Sequence, residues 1–240
     1  MAGKRTRGKC KYCGKEYTLN GMIRHLDTCE SRTMRLASNR STRKNGCYEL
    51  AIYGAYNRDY WLIIEIKETA TLKDLDSFLR DIWVECCGHL SSFNIAGTIY
   101  DVDGKKDDWF MSTESMQHQL KTVLKKGITF EYEYDFGSTT TLQITVANYR
   151  TGYSSKEKVT ILSRNNAFEP ICSECGQRKA VDICIACLWE GNIIYLCEEC
   201  EKEHKHGDEY ALPVCNSPRM GVCGYCGSSK YPDQFEPDKK

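Results

Sequence analysis

The middle of the chain carries the clearest pattern of hydrophobic and polar positions. Two β-rich runs, Y-E-L-A-I-Y-G-A from Tyr48 and Y-W-L-I-I-E-I from Tyr60, flank a short polar turn. Farther along, I-T-F-E-Y-E-Y-D from Ile128 and T-T-L-Q-I-T-V-A from Thr140 alternate apolar and polar residues. Alternation with period two is typical of strands with one buried face, so the last two runs predict a hairpin. F-N-I-A-G-T-I-Y from Phe93 predicts one more strand, and 158–162 predicts the last.

Helical periodicity appears at two places in the same region. Thr71 and Asp74 have the spacing of a capping box. The apolar residues that follow recur at helical spacing on one face and are Leu72, Leu75, Phe78, Leu79, Ile82 and Trp83. A second helix is predicted over Ser115–Lys126, ending at Gly127. Residues 47–165 therefore predict an α+β domain with a mostly antiparallel sheet and two helices.

The composition changes after residue 165. All five prolines lie from Pro170 onward, and the stretch from Cys172 to Cys226 contains nine cysteines and two histidines. Most of these cysteines form C-x2-C pairs, the commonest half-site of tetrahedral zinc. We predict a zinc module over 166–230 and a disordered tail over 231–240.

The cysteine pairs of this module can share ions in two ways. In a sequential arrangement the first two pairs share one ion, with only eight residues between them. An interleaved arrangement leaves 21 residues between the pairs of the first ion, close to zinc-ribbon spacing. We favour this cross-brace order, which resembles B-box modules. Its first ion would bind Cys172, Cys175, Cys197 and Cys200, and its second Cys184, Cys187 and His204 with one further ligand.

The fourth ligand of the second ion stays open at this point. His206, Cys215, Cys223 and Cys226 are all candidates, and we favour Cys223, with His206 second. A separate ion bound by His206, Cys215, Cys223 and Cys226 is a further alternative.

A separate metal signal occupies the N-terminus. Cys10, Cys13, His25 and Cys29 have the spacing C-x2-C-x11-H-x3-C, close to a C2H2 finger with cysteine as the last ligand. We predict a C2HC finger over 1–30 with a helix at 19–28. A segment this short cannot fold on burial alone, so zinc would supply about 10 kcal/mol or more. With the C-terminal module, about three zinc ions are expected.

Charge is distributed unevenly along the chain, although the net charge is zero. Residues 1–45 contain 12 lysines and arginines against three acidic residues. Residues 31–46 are predicted to be a basic linker, with Arg32, Arg35, Arg40, Arg43 and Lys44 available for phosphate contacts. A basic arm on an acidic body suggests nucleic acid as a partner. The alternative is a solvated tail that keeps the chain soluble.

Cys86, Cys87 and His89 lie directly after the first helix. They allow two chemical hypotheses, a thiol nucleophile with a base or another metal half-site. Adjacent side chains point in different directions, and no acidic partner is evident nearby. We therefore expect buried thiols at a helix end, with Gly88 as the C-cap.

Several unusual phrases occur together, including E-C-C-G-H-L-S-S-F, Y-D-F-G-S-T-T, L-S-R-N-N and N-S-P-R-M-G-V-C-G-Y. With them the chain resembles the plasmid pRiA4b ORF-three-like family, which includes passenger proteins of mobile elements, over about residues 48–226. The resemblance implies an α+β domain and little about activity.

Three functions remain at this stage. A non-enzymatic zinc protein that binds nucleic acid is favoured, followed by a protein-interaction adaptor that uses the B-box-like module, and then by an enzyme that uses Cys86, Cys87 and His89. Fifteen cysteines without a signal peptide favour a reducing compartment, so we expect a cytoplasmic protein. The longest apolar run is too short to cross a membrane.

Overall fold

The computed structural model describes residues 5–38, 45–104, 112–152 and 156–238. The chain divides into two compact units. The described parts of Met1–Leu79, Leu90–Asn166 and Phe235–Lys240 form the first unit. Arg80–His89 and Ala167–Gln234 form the second, so a short segment from the middle of the chain joins the C-terminal cysteines.

The first unit contains a large, mostly antiparallel sheet, so the predicted α+β class is confirmed. A hairpin of β1 (Gly8–Lys9) and β2 (Glu16–Tyr17) comes first, before helices α1 (Leu19–Thr28) and α2 (Glu30–Ala37). The large sheet is built from β3 (Asn45–Gly54), β4 (Trp61–Lys67), β5 (Ser91–Ile95), β6 (Thr98–Asp101), β7 (Glu114–Ser115), β8 (Thr129–Tyr134), β9 (Thr140–Gly152) and β10 (Val159–Arg164). Its order is β10-β4-β3-β9-β8-β5-β6-β7, and only the β6–β7 pair is parallel.

The sheet core follows the alternation in the sequence. The alternating apolar residues of β8 and β9 are buried, namely Phe130, Tyr132, Tyr134, Leu142, Ile144 and Val146. Helix α3 (Leu72–Leu79) begins with the predicted capping box. The Thr71 amide donates to the Asp74 carboxylate at 2.9 Å, and the Asp74 amide donates to the Thr71 hydroxyl at 3.1 Å. A π-helical turn at Arg80–Val84 continues this helix into the segment that belongs to the second unit.

Two predicted elements differ from the structure. The single strand expected from Phe93 is the β5–β6 hairpin, because Ala96 and Gly97 both have positive φ angles, 52° and 86°. Two consecutive left-handed residues form the type of turn that joins antiparallel strands tightly. The predicted helix Ser115–Lys126 is also wrong over most of its length, since only α4 (Leu120–Val123) is helical and Ser115 belongs to β7.

The predicted linker at 31–46 is wrong where it is described, because α2 occupies its first part. The pattern hid this helix because the side chain that it buries is Arg32, a charged one. Arg32 forms ion pairs with Glu49 of β3 and, at 3.5 Å, with Glu65 of β4. Arg32 is therefore committed to a buried ionic cluster and not to a phosphate. Arg40, Arg43 and Lys44 lie outside the described residues.

The N-terminal finger packs on the sheet of its own unit. Met22 and Leu26 of α1 share one buried cluster with Trp61, Ile63 and Leu162 of the sheet. Residues 235–238, expected to be part of a disordered tail, lie along the same hairpin. The Asp238 amide donates to the Lys11 carbonyl at 2.9 Å, and the two side chains form an ion pair at 2.7 Å.

The second unit has little regular structure. Its three-stranded sheet has the order β12-β11-β13 and consists of β11 (Asp182–Cys184), β12 (Tyr195–Leu196) and β13 (Ala211–Pro213). Two short helices, α5 (Ile185–Trp189) and α6 (Glu198–Glu203), each follow a cysteine. One cluster of buried residues in this unit contains only Cys184, Cys187 and Leu196. Among the described residues of both units, no helix has the length and apolarity that a membrane crossing requires.

The buried ionic cluster around Arg32 gives a stability prediction. Arg32→Met keeps much of the side-chain volume but leaves Glu49 without this cation, so the free energy of unfolding should fall by about 3 kcal/mol. Urea unfolding of the metal-loaded protein measures the change. Arg35→Met, an exposed position on the same helix, is the control and should change stability by less than about 0.5 kcal/mol. Equal unfolding midpoints for the two variants would contradict the assignment.

Candidate metal centres

Four groups of cysteine and histidine side chains each converge on one point among the described residues. Within each group all four ligand atoms lie within 4.8 Å of one another. A tetrahedral zinc ion would place two sulfurs about 3.8 Å apart, and a sulfur and a nitrogen about 3.6 Å apart. The groups are Cys10, Cys13, His25 and Cys29; Cys172, Cys175, Cys197 and Cys200; Cys184, Cys187, His204 and His206; and Cys86, Cys87, His89 and Cys223.

The N-terminal group joins the β1–β2 hairpin to the helices that follow. Cys10 and Cys13 lie in the hairpin turn, which Gly14 closes with a φ of 71° and an amide that donates to the Cys10 carbonyl. His25 lies on α1, and Cys29 separates α1 from α2 in an extended conformation. The Cys10 and Cys29 sulfurs are 4.0 Å apart, and the Cys13 sulfur is 3.2 Å from His25 Nε2.

Burial at this group suits a metal cation. Desolvation raises the pKa of Cys10 to about 12, so a buried thiolate needs a nearby positive charge. Burial also lowers the pKa of His25, which favours the neutral imidazole that binds metals. Tyr17 stacks on the His25 ring with centroids 4.4 Å apart and thereby holds its orientation.

The four-cysteine group has backbone donors aimed at its sulfurs. Hydrogen bonds from the backbone of Arg178 and Gln177 lower the pKa of Cys175 to about 6. A hydrogen bond from the backbone of Cys200 lowers the pKa of Cys197. Gly176, with a φ of 65°, makes the turn that brings these amides round. The Arg178 guanidinium lies 3.8 Å from the Cys200 sulfur, where it offsets the negative charge of four thiolates.

The third group contains two cysteines and two histidines. The Cys184 sulfur lies 3.2 Å from His206 Nδ1, and the Cys187 sulfur lies 3.3 Å from His204 Nε2 and 3.4 Å from His206 Nδ1. The structure thus brings His206 to this group, and not Cys223. The prediction of Cys223 as the fourth ligand is wrong because His206 follows His204 by two residues and reaches the same point.

Two glutamates, Glu174 and Glu190, contact these histidines. Glu174 Oε1 lies 3.1 Å from His204 Nδ1, and Glu190 Oε1 lies 3.5 Å from His206 Nε2. Each carboxylate faces the ring nitrogen opposite the one that points to the cysteines, which selects the tautomer with a free ligand nitrogen. Spacing alone gave no signal for this role, although Glu174 lies inside the C-S-E-C phrase.

The two C-terminal groups interleave along the chain. The first cysteine pair joins the third, and the second pair joins the two histidines. This is the cross-brace order that the sequence favoured over the sequential one. As a consequence, each group joins two segments of the chain, and a segment of the other group lies between them in the sequence.

Cys223 instead meets Cys86, Cys87 and His89. Cys87 and Cys223 are exposed, so the expectation of buried thiols at the helix end is wrong. The Cys87 sulfur is 3.6 Å from each of the Cys86 and Cys223 sulfurs and 2.9 Å from His89 Nε2. Twelve of the 15 cysteines belong to the four groups, and Cys47, Cys215 and Cys226 remain outside.

The third group gives a test of ligand identity. His206→Ala removes one of four ligand atoms, so the purified protein should lose one bound metal ion per chain. Elemental analysis after gel filtration measures the loss. His118→Ala, which changes the one histidine outside the four groups, should keep the full metal content. An unchanged content in His206→Ala would remove His206 from the ligand set.

Comparison with known proteins places the sheet and its flanking segments in a family. The sequence profile of the plasmid pRiA4b ORF-3-like proteins matches residues 55–179, just over half of the chain. No curated protein sequence matches. A crystal structure of a protein of unknown function from Methanosarcina mazei aligns with a TM-score of 0.43 and 18% identity, covering 50% of this chain and 70% of that one. The chain belongs to the plasmid pRiA4b ORF-3-like protein family.

Proposed function

We propose that the protein is a non-catalytic zinc protein that binds nucleic acid through its N-terminal surface. Zinc is the metal that cysteine-rich tetrahedral sites of this composition favour. The three groups foreseen from the sequence each supply four protein ligands. Such a centre leaves no coordination position for a water or substrate, so its role is to hold the fold.

The observation that carries the nucleic-acid part is a surplus of unpaired cations on the finger and α2. Among the described residues 5–38, five basic side chains form no ion pair with a described carboxylate, and they are Arg5, Arg7, Lys15, Arg24 and Arg35. Lys9 and Lys11 are different, because they pair with Glu236 and Asp238. Unpaired cations on one segment attract the phosphate backbone and release counterions on binding.

A groove in the first unit combines one of these cations, Arg5, with a second arginine, Arg58, and with the ring of Tyr53. It has a volume of 320 Å³ and lies between the start of α1 and the β3–β4 hairpin, with Arg5 and Arg58 in its lining. The Arg58 guanidinium covers the Tyr53 ring at 4.3 Å, and Tyr56 of the same hairpin is 91% exposed. Asp59 is the carboxylate in this lining, so the two arginines outnumber it. Cations beside exposed rings suit single-stranded nucleic acid, whose bases stack on aromatic faces.

Cellular context follows from the same chemistry. Zinc thiolate centres need reduced cysteines, and all 15 cysteines are free thiols. We therefore place the protein in a reducing compartment, the cytoplasm. Nucleic-acid binding would also fit an association with mobile elements, the setting from which the family takes its plasmid name.

The groove gives the test of this function. Arg5→Gln with Arg58→Gln removes two cations from the binding surface. This variant should bind labelled single-stranded DNA and RNA more weakly, and the magnitude of the slope of log K against log salt should fall by about 1.4. Fluorescence anisotropy between about 50 and about 200 mM salt measures both quantities.

The matched control removes two cations elsewhere in the same unit. Lys121→Gln with Lys125→Gln changes net charge equally at exposed positions near α4. Its affinity and salt slope should remain near those of the unchanged protein. Equal losses in the two double variants would show a general charge effect and contradict the groove as the binding surface.

A second candidate function rests on the second unit. Trp189 is 72% exposed at the end of α5, and Ile193 is 60% exposed shortly after it. An exposed tryptophan is a common anchor in protein interfaces. This surface beside the Cys184 group supports a protein-interaction adaptor.

This candidate predicts a partner that depends on Trp189. Chemical cross-linking in the native host should recover a protein joined to the second unit, and Trp189→Ser should abolish that product. Met34→Ser removes an exposed apolar side chain from the first unit and should leave the product unchanged. Undiminished cross-linking of Trp189→Ser would reject the adaptor surface.

A further inference from the structure

We infer that Cys86, Cys87, His89 and Cys223 bind a fourth zinc ion, in addition to the three centres foreseen from the sequence. The inference does not depend on nucleic-acid binding, because it concerns only how the second unit is held together.

Three distances within the group are close to those of a tetrahedral sulfur-rich site, and the fourth, 2.9 Å between the Cys87 sulfur and His89 Nε2, is shorter. The Cys86–Cys87 and Cys87–Cys223 sulfur pairs are each 3.6 Å apart, and the Cys223 sulfur is 3.6 Å from His89 Nε2. A zinc ion would set these edges at about 3.8 Å and about 3.6 Å. A disulfide would need about 2.05 Å, so no pair in this group is bonded. A catalytic thiol with a histidine base would need only one sulfur beside the imidazole, whereas this group has three.

The backbone adopts special conformations at both contributing segments. Gly88 has a φ of 78° with no atom near the position of a Cβ, and it turns the chain so that His89 faces Cys87. Cys223 has a φ of 54°, a left-handed conformation that costs a non-glycine residue about 1 kcal/mol. Such a conformation persists when the surroundings impose it. A bound metal ion would impose it here.

Hydrogen bonds hold the same two segments together around the group. The Trp83 indole donates to the Asn216 carbonyl at 3.1 Å, and the Ser217 hydroxyl donates to the Trp83 carbonyl at 2.6 Å. On the other side, the Ser228 hydroxyl donates to the Asp81 carbonyl at 2.5 Å. The ligands are thus carried by segments that are already fixed to each other within the second unit.

A buried cation lies beside the group as well. The Arg219 guanidinium donates to the Cys86 sulfur at 3.4 Å, and Arg219 is fully buried. Three thiolates and one neutral histidine around Zn²⁺ carry a net charge of −1, which an adjacent guanidinium offsets. The same arrangement occurs at the four-cysteine group, where Arg178 approaches Cys200.

A fourth ion would attach Arg80–His89 to the C-terminal residues of the second unit. These residues continue α3 of the first unit, yet they are assigned to the compact unit of the C-terminal cysteines. Two of the ligands, His89 and Cys223, are 134 residues apart in the sequence. Closing so long a loop costs entropy, and a metal–thiolate clasp supplies the compensating free energy.

Metal content of the whole protein tests the inference. The purified chain should contain four zinc ions, and Cys87→Ser should contain three. Cys226→Ser is the matched control, because Cys226 belongs to the same C-G-Y-C phrase but lies outside the group. This control should retain four ions. Three ions in the unchanged protein, or four in Cys87→Ser, would overturn the fourth site.

Alkylation of the unchanged protein gives a second test that needs no variant. Cys87, Cys223 and Cys226 are all exposed, so free thiols at these positions should react with iodoacetamide at similar rates. If zinc is bound, Cys226 should react rapidly while Cys87 and Cys223 stay protected until a chelator is added. Peptide mass spectrometry measures each site. Reaction of all three at one rate before chelation would overturn the inference.

Discussion

The convergence of thiol and imidazole side chains on points that could each hold a metal ion is the constraint on which the second unit depends. One of its clusters of buried residues, Cys184, Cys187 and Leu196, is small, and two of these three residues are ligand candidates. A cluster of this size by itself buries too little apolar surface to offset the loss of chain entropy on folding. Binding of a structural zinc ion contributes about 10 kcal/mol or more, enough to change that balance. Because the two cross-brace groups interleave, ions bound at both would couple the ordering of one half of the module to that of the other.

The first unit depends on different physics. Several of its strands are long, and their alternating side chains bury many apolar residues. The N-terminal ligand group has a narrower role there, since it fastens a two-strand hairpin and α1 against Trp61 and Ile63. Arg32 adds an ionic contact between α2 and two sheet strands. The finger thus packs one face of α1 on the sheet, which would leave the proposed nucleic-acid contacts to exposed cations such as Lys15 and Arg24 and to the groove at the start of α1.

Local patterns predicted the parts of this fold whose causes are local. Alternation located β8 and β9, the Thr71–Asp74 spacing located the start of α3, and C-x2-C spacing located the cysteine pairs of the candidate metal centres. Prediction failed where the cause is tertiary. The α2 helix buries an arginine instead of an apolar stripe, and the group at Cys86 is completed by a residue more than a hundred positions away. The orienting roles of Glu174 and Glu190 also exist only once the chain has folded.

The ligand groups also bear on where the functional unit of this chain ends. The family match covers residues 55–179 and therefore includes Cys86, Cys87, His89, Cys172 and Cys175. Their partners Cys197, Cys200 and Cys223 lie beyond the match. A segment confined to the matched residues would hold two incomplete ligand sets, and incomplete thiol sets bind zinc weakly and oxidise readily. Cys197, Cys200 and Cys223 therefore complete two groups of side chains that the matched region begins.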